Sequence, residues 1–286
     1  GQGVQGPGSG QGQEHDGEVG VHMAALGAAG QGPARFRFHP GVREIVRPGK
    51  SLRLADGRLG VDAARRAGIK DVIEALGVPH TEVGRIVVGE AEGAAGREAD
   101  FSHILEPGQE VEVFAVAPPL DVTRPSLLRP VPLDAARFLV DATCGRLARL
   151  LRLLGLDAAY DRSWDDAAVA RIADRERRIV LSMDRALLKR SAVAFGRLVR
   201  AHDPPEQLAE VLRHFGLRGP WAAFSRCLEC NAELTPVPKA EILHRLLPLT
   251  RQYYDVFFRC PACDRIYWPG SHHDRMQEWL ARAGLE

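Results

Sequence analysis

Two cysteine pairs carry the clearest chemistry in this chain. Cys227-Leu-Glu-Cys230 and Cys260-Pro-Ala-Cys263 are CxxC knuckles with 29 residues between them. A knuckle sets two thiolates about one tetrahedron edge apart, and two knuckles close a four-sulfur shell around one cation, with Zn²⁺ the expected occupant. Sulfur fills every position and leaves none for water. The expected role is therefore structural, with the binding energy adding directly to folding. His272 and His273 suit the surface better than the metal. Cys144 stands outside the pattern and reads as a small buried helix residue.

A second group is acidic. Asp141 follows the apolar run Phe138–Val140, and Asp184 closely follows Ile179–Leu181. Asp161 follows Ala158–Tyr160, Asp165 and Asp166 open a helical stretch, and Asp203 follows Arg197–Arg200. If these runs are strands of one parallel sheet, the acids emerge at its carboxyl edge, where open α/β sheets bind ligands. Gathered carboxylates repel one another unless a cation lies among them, and oxygen ligands with several waters suit Mg²⁺ or Mn²⁺. Such a metal activates water and stabilises the charge of an in-line phosphoryl displacement. Arg146 and Arg149 could contact phosphate. Each acid also has an ordinary structural use, Asp165 or Asp166 as a helix N-cap and Asp161 and Asp203 in turns.

The elements that must position these residues divide the chain into five parts. Residues 133–226 alternate strands with helices over Cys144–Leu154, Asp166–Glu176 and Glu206–Phe215, which predicts an α/β domain with a mostly parallel sheet. In the first helix Leu147, Leu150, Leu151 and Leu154 share a face, with Arg146, Arg149 and Arg152 off it, and Gly155 ends it. Residues 227–286 hold the knuckles, with strands at Asp255–Arg259 and Ile266–Trp268, the pattern of a zinc ribbon. Residues 34–117 predict an α+β unit of β-grasp order. A hairpin joins Arg35–His39 to Arg43–Val46 around Pro40-Gly41; a helix over Lys70–Leu76 and strands over Arg85–Val88 and Glu110–Val116 follow. Ser51–Ala67 reads as an inserted loop. Five prolines make 118–132 a stiff linker, and 1–33, rich in Gly, Gln and Ala, is expected to be disordered.

Composition bounds the rest. A chain of 286 residues suits two or three domains; 45% hydrophobic and 26% charged residues are ordinary for a globular protein. No run of eighteen apolar residues is present to span a membrane. The start lacks the basic and apolar regions of a secretory signal, and CxxC pairs favour a reducing compartment, so a cytoplasmic location is expected. Net charge is +1, but residues 131–226 carry 17 Lys+Arg against 12 Asp+Glu, which suits a polyanionic partner.

Three stretches resemble a known family: Phe138-Leu-Val-Asp141-Ala-Thr-Cys-Gly145-Arg-Leu-Ala-Arg149, Leu151-Arg-Leu-Leu-Gly155-Leu-Asp157 and Ile179-Val-Leu-Ser-Met-Asp184-Arg185-Ala-Leu-Leu188. Together with the double CxxC and Trp268-Pro-Gly-Ser-His272, they look like the Mut-seven C-terminal ribonuclease domain of the PIN-like nucleases. The unit before it is similar to the ubiquitin-like domain often fused in front. The resemblance implies a PIN-like fold, a divalent-metal acidic site and an RNA substrate. By position it carries Asp141, Asp166 and Asp184 as catalytic acids, with Asp165 or Asp161 in support and Arg146, Arg149 and Arg185 near the substrate. Two departures stand out: Arg146 where Lys is expected, and Ser182-Met183 where Thr and a basic residue are common. Related ubiquitin-like modifiers end in a free Gly-Gly, whereas this unit runs on through Ala117-Pro118-Pro119. It is therefore expected to dock a protein partner or position substrate. The rival reading is a non-catalytic RNA-binding or scaffold protein whose acids are caps.

Overall fold

The computed structural model describes residues 32–47, 52–63, 66–90, 96–282 and 284. The disorder expected over 1–33 falls outside them, apart from Gly32 and Pro33, as do the side chains of His272 and His273.

The first unit is a mixed sheet of β1 (Ala34–Phe38), β2 (Leu52–Arg53), β3 (Leu59–Val61), β4 (Val83–Gly89), β5 (Arg97–Glu98) and β6 (Glu110–Ala115). Its order is β2-β3-β1-β6-β4-β5, and the central pair β1–β6 is parallel, as a β-grasp requires. Alternation sends Ala34, Phe36 and Phe38 inward, against Val111 and Val113 of β6 and Ile69, Val72 and Ile73 of α1 (Ile69–Ala75).

Two expectations are corrected here. Arg43–Val46 is not a strand. The chain reverses at Gly41 (φ +93°) into a 3-10 turn over Arg43–Ile45, which buries Val42 and Ile45 three residues apart on one side. The stretch read as an inserted loop contains β2 and β3, which pair with each other and, through β3, with β1. Asp56-Gly57 (Gly57 φ +80°) lies between them, and Asp-Gly is a hairpin signal.

The second unit comprises β7 (Phe138–Val140), α2 (Gly145–Leu153), β8 (Ala158–Ala159), α3 (Asp166–Glu176), β9 (Ile179–Ser182), α4 (Arg185–Leu188), β10 (Gly196–Leu198) and α5 (Pro204–Phe215). All four strands are parallel, in the order β10-β9-β7-β8. The chain leaves β7 for β8 on one side and then crosses to β9 on the other. The switch point therefore lies between the carboxyl ends of β7 and β9. Phe138, Val140, Ile179 and Leu181 pack with α2 and α5 on one face. Leu139 and Val180 face the other way and join the core that α3 shares with the first unit.

The third unit holds β11 (Thr235–Pro236), α6 (Lys239–Ile242), α7 (Pro248–Tyr253), β12 (Phe258–Arg259), β13 (Ile266–Tyr267) and α8 (Ser271–Arg282). Its three strands are antiparallel in sequence order and shorter than the two expected. Leu280 of α8 returns to the core of the second unit.

The proline-rich segment between the first two units is packed, with Val122 and Leu128 buried. Arg129, 7% exposed, donates to the carbonyls of Val83 (3.0 Å), Thr81 (2.7 Å) and His80 (3.3 Å) in the first unit. Among the described residues, no helix is long and apolar enough to cross a membrane.

Candidate functional site

Asp141 caps the turn after β7 and is 6% exposed. Its Oδ1 accepts from the Ala142 amide (2.6 Å). Its Oδ2 accepts from the Thr143 amide (3.3 Å), the Thr143 hydroxyl (2.6 Å) and the Ser182 hydroxyl (2.8 Å). Ser182, fully buried at the end of β9, accepts in turn from the Asp184 amide at 2.8 Å. Thr143 Oγ1 accepts from the Met183 amide at 3.1 Å. The ends of β7 and β9 are thus stitched together through one buried carboxylate at the switch point.

Asp184 caps α4, its Oδ1 accepting from the Ala186 amide at 2.7 Å. The other candidates are engaged apart from this pair. Asp165 caps α3 through the Ala168 amide (2.7 Å), and Asp166 faces Arg190 at 3.9 Å. Asp161 accepts from the Ser163 amide (2.9 Å) and hydroxyl (2.7 Å), which hold its carboxyl below the usual range. Among the described residues, no three carboxylates come within reach of one metal ion; only the cysteines do.

A cleft of about 550 Å³ opens beside Asp141, lined by Thr143, Gly145, Arg146, Arg149, Tyr160 and His202. It lies at the start of α2, whose dipole adds to the positive charge. A Cβ at Gly145 would meet the Tyr160 hydroxyl at 2.5 Å, so a side chain there would displace the Tyr160 ring from the cleft wall. Arg146 is exposed, and Arg149 pairs with Glu229 at 2.6 Å. Arg185 points away from the cleft and donates to the Ile45 carbonyl at 2.9 Å. Sequence reasoning gave no role to Thr143, Tyr160 or His202. A hydroxyl two residues after a strand-end acid was the available signal for Thr143.

The four cysteine sulfurs lie within 4.8 Å of one another. Cys227 and Cys263 are 3.5 Å apart, and Cys230 and Cys260 3.4 Å. The two knuckles match bond for bond. The amides of Asn231 and Asp264 donate to the carbonyls of Cys227 (3.0 Å) and Cys260 (2.9 Å). Both residues sit at positive φ, +68° and +58°, which Asn and Asp tolerate. Burial raises the Cys227 thiol, but donation from the Tyr267 hydroxyl (3.1 Å) and neighbouring groups outweighs it, bringing it to about 7. Burial, with hydrogen bonding to the other thiols, pushes Cys263 up to about 12. Crowded thiols that cannot all ionise unaided are a donor set made for a cation.

Arg152, 2% exposed on α2, ties this centre to the second unit. Its Nε donates to the Ala158 carbonyl (2.8 Å) and its Nη1 to those of Leu228 (2.9 Å) and Glu229 (2.7 Å), inside the first knuckle.

A family model described as "Mut7-C RNAse domain" matches residues 136–280, about half of the chain and all of this site. The chain belongs to the Mut7-C RNAse domain family. A second model, "Mut7-C ubiquitin", matches residues 33–121, so the unit before the Mut7-C domain is ubiquitin-like. The human protein described as "Exonuclease mut-7 homolog" is 35% identical over 109 residues, 36% of this chain and 12% of that protein. The chain therefore corresponds to a small part of that relative. No solved structure gives a significant match.

Proposed function

We propose that the chain is a metal-dependent ribonuclease whose PIN-like centre lies at the switch point between β7 and β9. The observation that carries this is the buried Asp141, fixed by four donors directly before Ala142 and Thr143, which line the arginine-bearing cleft, within a domain of the Mut7-C RNAse family. The name of the human relative, an exonuclease, points the same way.

Asp141, whose Oδ1 takes one amide where Oδ2 takes three donors, and Asp184 would hold a hydrated Mg²⁺ or Mn²⁺, since such ions need only one or two carboxylates and keep several waters for phosphate oxygens to replace. Asp166, with Asp165 and Asp161, would stand outside that shell. The metal, when bound, lowers the pKa of water and neutralises charge on the phosphoryl group. Arg146 and Arg149 hold the phosphate, and Ser182 and Thr143 keep Asp141 in place. The water oxygen would bond to phosphorus and give up one proton to solvent, while the bond to the leaving sugar oxygen breaks and that oxygen takes one proton from solvent. Zn²⁺ held by Cys227, Cys230, Cys260 and Cys263 is structural, forming a zinc ribbon that braces the wall of the cleft through Arg152 and Glu229.

One observation favours the rival reading of a non-catalytic RNA-binding protein: each acid also serves as a cap or ion-pair partner. The deciding experiment is cleavage of labelled single-stranded RNA by zinc-loaded protein, with and without added Mn²⁺, beside Asp141→Asn. Cleavage that needs both the metal and Asp141 is expected. RNA binding without cleavage at any metal concentration would move the reading to the rival.

A further inference from the structure

The seam between the ubiquitin-like unit and the Mut7-C domain runs along the edge that holds Asp141. Three hydrogen bonds lead across it. Asp141 Oδ2 accepts from Ser182 Oγ (2.8 Å), Ser182 Oγ accepts from the Asp184 amide (2.8 Å), and the next residue, Arg185, donates to Ile45 O in the first unit (2.9 Å). From the end of β10, Arg200 Nη2 reaches Gly41 O at 2.6 Å. The segment Gly41–Arg47 is thus held against the carboxyl edge of the parallel sheet from two sides.

That segment is basic and open. Arg43 and Arg47 are exposed, and Arg47 lies near Arg185 of the other unit, as does Arg200. Arg185 and Arg47 have no carboxylate partner among the described residues; the Arg47 guanidinium donates to its neighbour's carbonyl, Val46 O, at 3.4 Å. Arg47 and Arg200 both act on Arg185 as like charges, after burial itself, and depress its pKa. The opposing carboxylates are Glu44, tied to the Gly41 amide at 2.6 Å and 4.0 Å from Arg43, the capped Asp184, and Glu82, which is buried against Arg197 at 2.6 Å and lies 3.7 Å from Arg200. Beyond Arg43, a second depression of about 370 Å³ is lined by Arg37, Arg53, Asp56 and Arg58, the last paired with Glu110 at 2.6 Å. Arg47 and Arg185 leave two different units and converge without a matching acid, while Arg43 and Arg200 beside them have only the longer pairs to Glu44 (4.0 Å) and Glu82 (3.7 Å); the remaining positive charge is held together at an electrostatic cost, which a polyanion would remove.

Resting on the ribonuclease reading of the cleft, we infer that Arg43 and Arg47 of the ubiquitin-like unit, with Arg185 and Arg200, bind backbone phosphates of the strand that enters beside Asp141. The unit then serves as a wall of the substrate track, reading phosphate charge and not base identity. It also assigns Arg185 to phosphate on the seam side of Asp141, while Arg146 and Arg149 serve the cleft side.

The test is fluorescence anisotropy of the full zinc-loaded chain on labelled single-stranded RNAs of increasing length, titrated with salt and without Mg²⁺ or Mn²⁺. The variants are Arg43→Ala with Arg47→Ala, and Arg43→Lys with Arg47→Lys. Each phosphate contact on a single strand contributes about 0.7 to the slope of log affinity against log salt, so the double alanine variant is expected to lose roughly 1.4. The lysine variant should keep the slope, and the shortest RNAs, which fill only the cleft, should not distinguish alanine variant from wild type. Melting temperature and zinc content check the fold. RNA binding with an unchanged slope in the alanine variant overturns the inference, leaves the ribonuclease reading standing, and gives the patch to an acidic protein partner. Absence of RNA binding by the wild type overturns both.

Discussion

Arg152→Met tests how the cysteine centre is joined to the Mut7-C domain. Methionine keeps much of the volume but removes three donors from a site that is 2% exposed. The carbonyls of Ala158, Leu228 and Glu229 lose their partner. A buried acceptor left unsatisfied costs about 1–3 kcal/mol, so three cost roughly 3–9 kcal/mol. Relief from burying the guanidinium charge returns several kcal/mol of that. A net loss of about 3 kcal/mol is expected, a large share of a typical 5–15 kcal/mol stability. Two of the carbonyls stand between Cys227 and Cys230, and the guanidinium also lies in the field of those thiols. Metal release should therefore quicken with the loss of stability. The assays are urea unfolding and release of zinc to a coloured chelator. A stability change under about 0.5 kcal/mol with unchanged release would refute the joint as drawn.

Two further outcomes are expected. Cys227→Ser should lower bound zinc from about one per chain to well below it by elemental analysis and cause large destabilisation, since structural zinc contributes folding energy directly; zinc-free wild-type protein of full stability would contradict this. His214 is 4% exposed with an unpartnered Nε2, and burial, followed by the nearby Arg197, Arg129 and Arg200, pulls its pKa down to about 3. The folded state stays neutral while the unfolded chain takes a proton below about 6.5, so stability falls with pH between those values, by about 2 kcal/mol at pH 5. In His214→Phe the fall between pH 7 and 5 should flatten; an unchanged profile would show that His214 does not set it.

The sequence made some features legible and hid others for identifiable physical reasons. The CxxC spacing announced the cysteine centre because metal geometry is written into four residues. The strands β7 and β9 and the helix α3 were readable because apolar runs and N-caps are local signals. The turn over Arg43–Ile45 was misread because Val42 and Ile45 give an apolar pattern that suits a strand or a 3-10 turn equally. The β2–β3 hairpin carried its signal in Asp56-Gly57, but the flanking strands are two and three residues long, too short to show alternation. The acids were located but not their use: a carboxylate at a strand end is the right residue for capping a turn and for holding a metal. The family resemblance placed Arg185 near the substrate, but its reach to Ile45, 140 residues away in sequence, is a tertiary fact that no local pattern carries.

That tertiary fact bears on why the ubiquitin-like unit is built in. A free modifier needs an exposed tail and a reversible contact, whereas this unit's contact with the Mut7-C domain is buried and polar. Glu82, 3% exposed, accepts from the Leu198 amide at 2.7 Å and pairs with Arg197 at 2.6 Å. His80 Nε2 contacts Val193 O at 2.8 Å, Lys189 donates to Glu74 O at 2.5 Å, and one apolar core runs through both units. Separating them would strand a buried carboxylate and several backbone groups, a penalty of several kcal/mol. The contact is thus expected to persist through a catalytic cycle. A unit that cannot leave can act on the substrate only through the surface it presents at the seam, and there it exposes Arg43 and Arg47, with Glu44 tied to the Gly41 amide between them.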